Sequence, residues 1–429
     1  MNSNWYKKIR VVEYFSRGLF VESKLWTRDF TILTIGSAIS MLGNAVSGFA
    51  LGLLILDFTN STFLYSLTLV LYTLPKILLP LFSGPLLDRF SRKKLIYILD
   101  FVSAGLYTTI FLLLLFGKLN YALIVVLALI IGSIDSTYIL AFDSFFPNVV
   151  KKENYSKAYS ISSILYPLSA VMVPVAAYFY ENFSIAPLFL FNAVTFLIAA
   201  IFETNIKAKE DHIEKNASKD FGFKTYLQDF KKGLSFLKSE KGLAAITIIF
   251  VAMSFADSSF MTLILPHFKN SPDLGVMLYT YVMAFAVGGR LIGGLIQYRF
   301  RYPQEKRFKI AIYIYFSITL MSAVFLFTSI TFMLILNFLI GFLSVSSYNI
   351  RISSTQSYLP DTLRARFNGI FQMLTMLGAI TGQLLSGALG DRFFEPYIVA
   401  AFNLVLFVTI IFTLIPFGKE IKKIYNLKT

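Results

Sequence analysis

The chain has 429 residues, of which 56% are hydrophobic and only 15% charged, with a mean hydropathy of +0.67. Soluble proteins carry about 25% charged and about 45–50% apolar residues, so a water-soluble globule is excluded, and 45 Phe with 24 Tyr exclude a disordered chain. The lack of cysteine excludes disulfides, thiolate metal sites and a Cys nucleophile, and the two histidines, His212 and His267, leave little imidazole chemistry.

A helix needs about 20 mainly apolar residues to cross a bilayer. The apolar runs between charge clusters predict twelve crossings, at 30–56, 63–84, 95–116, 121–142, 158–180, 185–203, 243–266, 274–297, 309–329, 331–350, 368–389 and 396–417. The ninth and tenth runs have almost no loop between them. No cleavable signal peptide is expected, because the first run is too long and lacks a small-residue cleavage site. Of the 39 Lys and Arg, 34 fall in the two termini and the loops on their side. The other side holds three, Lys118, Lys269 and Arg392, and two more, Lys76 and Arg290, lie inside spans. That bias puts both termini in the cytoplasm of a multi-pass protein of the cell (inner or plasma) membrane. The net charge of +15 therefore orients the chain, and nucleic-acid binding is not expected.

Six spans precede residue 204 and six follow residue 242. The expected organisation is a cytoplasmic segment 1–29, a six-helix bundle 30–203, a cytoplasmic linker 204–242, a second bundle 243–417 and a basic tail 418–429. Within the linker, Ala208 to Asp220 is charged and expected to be mobile. Phe223, Tyr226, Leu227, Phe230, Leu234 and Leu237 then recur at helical spacing among Lys224, Lys231, Lys232 and Lys238. Such an amphipathic helix suits either the inner leaflet or a tie between the halves. The halves echo each other. Gly84-Pro85-Leu86-Leu87-Asp88-Arg89-Phe90 closes span 2, and Gly294-Leu295-Ile296-Gln297-Tyr298-Arg299-Phe300 closes span 8. Parallel repeats of this kind are one plan for membrane transporters.

The span 2–3 loop reads Gly84-x-x-x-Asp88-Arg89-Phe90-Ser91-Arg92-Lys93-Lys94. Gly84 permits close helix approach, and Asp88 can accept from a neighbouring helix N-terminus or pair with Arg92. Gly84, Asp88, Arg89, Arg92 and Lys93 could thus form a latch that holds the halves together in one state. With this motif the chain resembles the major facilitator superfamily, and within it the macrolide-efflux and siderophore-export type of permease. Asp100, Asp143-Ser144-Phe145-Phe146-Pro147, Gln356-Ser357-Tyr358-Leu359-Pro360 with Arg364 and Arg366, Asn368-Gly369, and Gly378, Gly382, Gly387 and Asp391 extend the resemblance over nearly the whole chain. It implies an all-α integral membrane fold of twelve transmembrane helices in two pseudo-symmetric six-helix bundles, with a central cavity lined by spans 1, 4, 7 and 10 and alternating access. One departure is in span 5, where proton antiporters of the superfamily often carry a glycine-rich motif. Here Ser169-x-x-x-Val173-Pro174-Val175-Ala176-Ala177-Tyr178 keeps the proline and loses the glycines.

Ionisable residues at membrane depth are functional candidates because they are costly to bury. Asp135 lies 14 residues into span 4 and Asp257 14 residues into span 7, roughly 21 Å from the span ends at about 1.5 Å per residue. Either could exchange a proton or hold a cationic substrate, or be hydrogen-bonded structurally by Ser133, Ser136, Ser254 or Ser258. Lys76 and Arg290 lie on repeat-equivalent helices. Facing the cavity they would favour an anionic or zwitterionic substrate; alternatively Lys76 neutralises a carboxylate such as Asp100, and Arg290 snorkels inward. Asn192, Asn337, Asn349 and Gln383 line a polar path or bridge helices.

Neither a phosphate-binding Gly-x-x-x-x-Gly-Lys nor a Ser-His-Asp arrangement points to an enzyme, and no cofactor or metal is expected. The reading is a monomeric, proton-coupled secondary transporter that exports a small amphipathic molecule, as drug efflux proteins do. The alternatives are a lipid or lysolipid flippase, or a siderophore or metabolite exporter, on the same fold. In another class stands a transport-inactive membrane sensor or assembly partner.

Overall fold

A bilayer interior offers no water to backbone groups, so a spanning chain must satisfy them within helices or a closed barrel. This chain uses helices. The computed structural model describes residues 25–208, 210, 231, 234–300 and 302–427. Among them, besides a helical stretch at 234–239, are thirteen α-helices and no strand: α1 Arg28–Thr59, α2 Thr62–Arg89, α3 Arg92–Leu115, α4 Tyr121–Val149, α5 Tyr155–Ser169, α6 Met172–Asn182, α7 Ala186–Glu203, α8 Lys241–Asn270, α9 Gly275–Arg299, α10 Arg307–Val324, α11 Ile330–Tyr358, α12 Asp361–Gly390 and α13 Glu395–Tyr425. Each predicted crossing meets a helix. The fifth is split into α5 and α6, because the ring of Pro174 conflicts with the carbonyl four residues earlier, that of Ala170, where the helix breaks.

Two bundles of six crossings result, and each repeats the other's packing. In the first, α2 lies against α4 and α3 against α7; in the second, α9 lies against α11 and α10 against α13. The bundles meet along α2 and α12 and along α6 and α9. Gly132 explains the first of these pairings. A methyl group there would collide with the Tyr72 carbonyl, so α2 and α4 touch backbone to backbone. Gly341, also eleven residues into its helix, meets Ala286 of α9 in the same way.

We call the end carrying the basic loops the basic end, and the opposite one the far end. At the far end Asn60 takes a left-handed conformation (φ 48°), which asparagine tolerates, and lets α1 turn into α2. Apolar packing crosses between the bundles here. Leu265 and Val276 of the second join the cluster of Leu53, Tyr65 and Phe189 of the first, and the rings of Phe49 and Tyr279 stack at 6.0 Å. Large side chains such as Phe412, Ile415 and Tyr313 stay exposed on the outer surface, as expected of helices solvated by lipid.

Most helices run past the predicted spans, and this corrects one residue. Arg351, counted above among the loop charges, lies inside α11 and is only 7% exposed, with its guanidinium over the rings of Phe250, Tyr348 and Phe371. Three of the candidate amides bridge helices: Asn192 donates to Ser47 at 2.6 Å, Asn337 to the Val282 carbonyl at 2.8 Å and Asn349 to Gln297 at 2.9 Å. The segment 1–24 and most of the linker, including Phe223 to Phe230 of the expected amphipathic helix, lie outside the described residues. Residues 234–239 are helical, and Leu237 is buried against the second bundle.

Replacing Gly132 by leucine should force α2 from α4 and cost about 1–3 kcal/mol. Thermal unfolding in detergent reads this as a lowered Tm; an unchanged Tm would contradict the backbone contact.

Candidate functional site

Tyr72 and Lys76 stand four residues apart and so share one face of α2, and the close approach at Gly132 turns that face to Asp135 of α4. The Tyr72 hydroxyl donates to Asp135 Oδ2 at 2.5 Å. Lys76 Nζ donates to the Tyr72 oxygen at 2.8 Å, lies 3.4 Å from Asp135 Oδ2, and sits 4.1 Å from the centre of the Tyr72 ring. The side chains of Lys76 and Asp135 keep 27% and 19% of their surface, so the protein encloses the cluster only in part at mid-depth. The structure thus gives Lys76 a carboxylate partner, but that partner is Asp135 and not Asp100. It also replaces the serine expected for Asp135 by a tyrosine, since Ser133 instead bonds the Leu129 carbonyl of its own helix. Tyr72 was not singled out in the sequence; its spacing from Lys76 was the available signal.

The second bundle holds the other two candidates. Asp257 on α8 is exposed although it lies mid-helix, and the charge acting on it is that of Arg290 on α9, also exposed. Ile248, Val251 and Phe255 of α8 line an apolar groove of about 670 Å³ with α12 and α13. Nine residues separate Ile248 from Asp257, which at about 100° per residue puts the carboxylate on the opposite side of the helix, away from that groove. In the first bundle Lys76 lies 3.4 Å from Asp135, and in the second the charge of Arg290 acts on Asp257.

At the basic end, the side chains of Gly84, Asp88 and Arg89 lie outside what the structure describes. Arg92 donates to the Ser144 carbonyl and Lys93 to the Ala208 carbonyl, each at 3.0 Å. An acid not anticipated from the sequence, Glu210 of the linker, covers the N-terminus of α3. It accepts from the Arg92 backbone N–H at 2.7 Å and from the Ser91 hydroxyl, where the helix dipole favours an anion.

At the far end, polar ties join the bundles. Lys269 at the end of α8 pairs with Asp57 of α1 at 2.5 Å, and Asp57 also accepts from Tyr180. Asp391, just past α12, accepts from the Ser61 hydroxyl at 2.7 Å and the Thr62 N–H at 2.5 Å, capping α2 of the other bundle. Glu181 of α6 reciprocates by accepting from the Met277 N–H in the first turn of α9, at 2.9 Å.

This geometry, two helical repeats that carry acids and bases at depth, can be set beside known proteins. The Major Facilitator Superfamily profile matches residues 33–382. The chain belongs to that superfamily. It is 26% identical over 277 residues to the uncharacterized MFS-type transporter YkuC of Bacillus subtilis (strain 168), a match covering 63% of this chain and 64% of that protein. It is 22% identical over 276 residues to macrolide efflux protein A of Streptococcus pyogenes, covering 62% and 67%. The fold resembles the nucleoside transporter NupG (TM-score 0.69, 15% identity, 90% of this chain and 98% of that one). It also resembles a bacterial homologue of the iron transporter ferroportin in an inward-facing state (TM-score 0.66, 14% identity, 90% and 98%). The Major Facilitator Superfamily is a family of multi-pass membrane transporters and not of enzymes.

If Asp135 and Lys76 act as one unit, Asp135→Asn and Lys76→Met should each destabilise, and the double variant should recover part of the loss. A double-mutant cycle on detergent unfolding should give a coupling of about 0.5–3 kcal/mol; additive losses would contradict the pairing.

Proposed function

We propose that this major facilitator protein exports small amphipathic molecules in exchange for protons, as a monomer in the cell membrane with its basic end in the cytoplasm. The observation that carries the reading is the Tyr72–Asp135–Lys76 cluster, a partly exposed carboxylate at mid-depth whose counter-ion is a lysine. A proton on Asp135 removes the charge that holds Lys76, and a cationic substrate competes with Lys76 for the same oxygens. Either event breaks the same pair, so proton and substrate occupy the site in turn, which is the requirement for exchange. Asp257, on which the charge of Arg290 acts, is the matching acid on the second bundle. In this reading the far-end ties hold the outer side shut. Gly84, Asp88, Arg89, Arg92 and Lys93 then form the gate on the cytoplasmic side, where Arg92 and Lys93 already anchor α3 to Ser144 and Ala208. The likeness to macrolide efflux protein A supports efflux of a drug-like compound.

The exposure of Arg290 supports a second reading, in which an anionic headgroup of a lipid, or a siderophore, is the cargo. Efflux of macrolides, cationic dyes and labelled lysolipids from cells expressing wild type or an Asp135→Asn, Asp257→Asn double variant separates the two. Protonophore-sensitive efflux of a dye or macrolide, abolished in the double variant, is expected. Drug efflux no better than that of the empty vector would overturn the drug reading, and lysolipid movement lost on Arg290→Gln would establish the second.

A further inference from the structure

Outside the Tyr72–Asp135–Lys76 cluster, the first bundle buries two more acids. Asp100 on α3 is 0% exposed and Glu203, the last residue of α7, is 1% exposed. Neither oxygen of Asp100 has a hydrogen-bond partner among the described residues, nor does Oε2 of Glu203. The two carboxyl groups lie within reach of one another, a contact that two bare carboxylates cannot sustain without positive charge between them. Among the described residues no cation acts on either acid. From α4 come the hydroxyl of Tyr138, 3.5 Å from Glu203 Oε1, and one turn away Asp135, whose charge also acts on Asp100. From α1 come Ser37, 3.4 Å from the Tyr138 oxygen, and Gly36. A methyl group at Gly36 would run into the Glu203 carboxyl, so the missing side chain makes room for it.

The second bundle shows that packing does not require two acids here. Asp100 lies eight residues into α3, and the residue eight into α10 is Tyr315. Tyr315 and Tyr425 of α13 close that interior with a neutral hydroxyl pair at 2.7 Å, both buried. Among the described residues the second bundle leaves a single carboxyl oxygen without a partner, Oε2 of Glu420 on α13, whereas the first leaves three on two neighbouring acids.

We propose that Asp100, Glu203 and the Tyr138 hydroxyl form a binding site for one small monovalent cation, a proton or a sodium ion, separate from the Tyr72–Asp135–Lys76 cluster. Binding involves no covalent step beyond protonation of a carboxyl oxygen in the proton case. A cation held only by the folded protein stabilises it, and this can be read without any transport assay. In sodium-free buffer, purified wild type should lose about 2–4 °C of Tm between about pH 6 and about pH 9. The Asp100→Asn, Glu203→Gln variant should lose none of this. Recovery at high pH on adding sodium, but not choline, identifies sodium; no recovery identifies the proton. Should the double variant fail to fold, wild type is treated with a hydrophobic carbodiimide, which modifies protonated carboxyls in apolar surroundings, and mapped by mass spectrometry. Modification at Asp100 or Glu203 that falls as pH or sodium rises is expected. Equal pH profiles for wild type and double variant, or no modification at either acid, would overturn the site.

Discussion

A carboxylate in the middle of a membrane is too costly to stand alone, and the arrangement of the first bundle follows from that cost. Asp135 is kept by Lys76 and Tyr72, which reach it from α2 only because Gly132 lets two backbones touch. The pair is only partly enclosed by the protein. Under the proposed function, a substrate or proton that binds Asp135 would displace Lys76, so transport and local stability would draw on the same interaction.

The same economy operates at the far end in the form of helix termini. Every helix begins with backbone N–H groups that lack partners within the helix, and these ends are natural seats for acids. Asp391 of the second bundle covers the start of α2, while Glu181 of the first covers the start of α9. The exchange is reciprocal under the repeat, since α2 corresponds to α9 and the fifth crossing to α12. Together with the Asp57–Lys269 pair and the stacked rings of Phe49 and Tyr279, these caps make the far end a joint between the two bundles.

The crossings were legible in the sequence because twenty-residue apolar runs and the 34-to-3 charge bias are physical requirements of the bilayer. The deep charges Asp135, Asp257, Lys76 and Arg290 were legible for the same reason. Their pairing was not, because choosing Asp135 over Asp100 for Lys76 depends on which helices touch, and the small residue that decides it, Gly132, reads as one glycine among 24. Arg351 read as a loop charge because hydropathy ends a span at the first arginine, whereas an aromatic cage lets α11 carry it inward. Glu203 escaped notice at the end of an apolar run, where an acid ordinarily marks the water boundary. Its burial comes from the neighbouring α1, whose Gly36 makes room for it.

Spin-label distances test most directly whether the far-end joint governs a two-sided motion. The chain has no cysteine, so labels report only where they are placed, for instance at Phe183 and Phe393 across the far end, or at Lys94 and Arg299 across the basic end. Breaking the joint with Asp57→Asn and Asp391→Asn should lengthen the far-end distance and shorten the basic-end distance in the same molecules. Distances that stay fixed at both ends, or lengthen at both, would contradict an alternating carrier whose resting state is held by these residues.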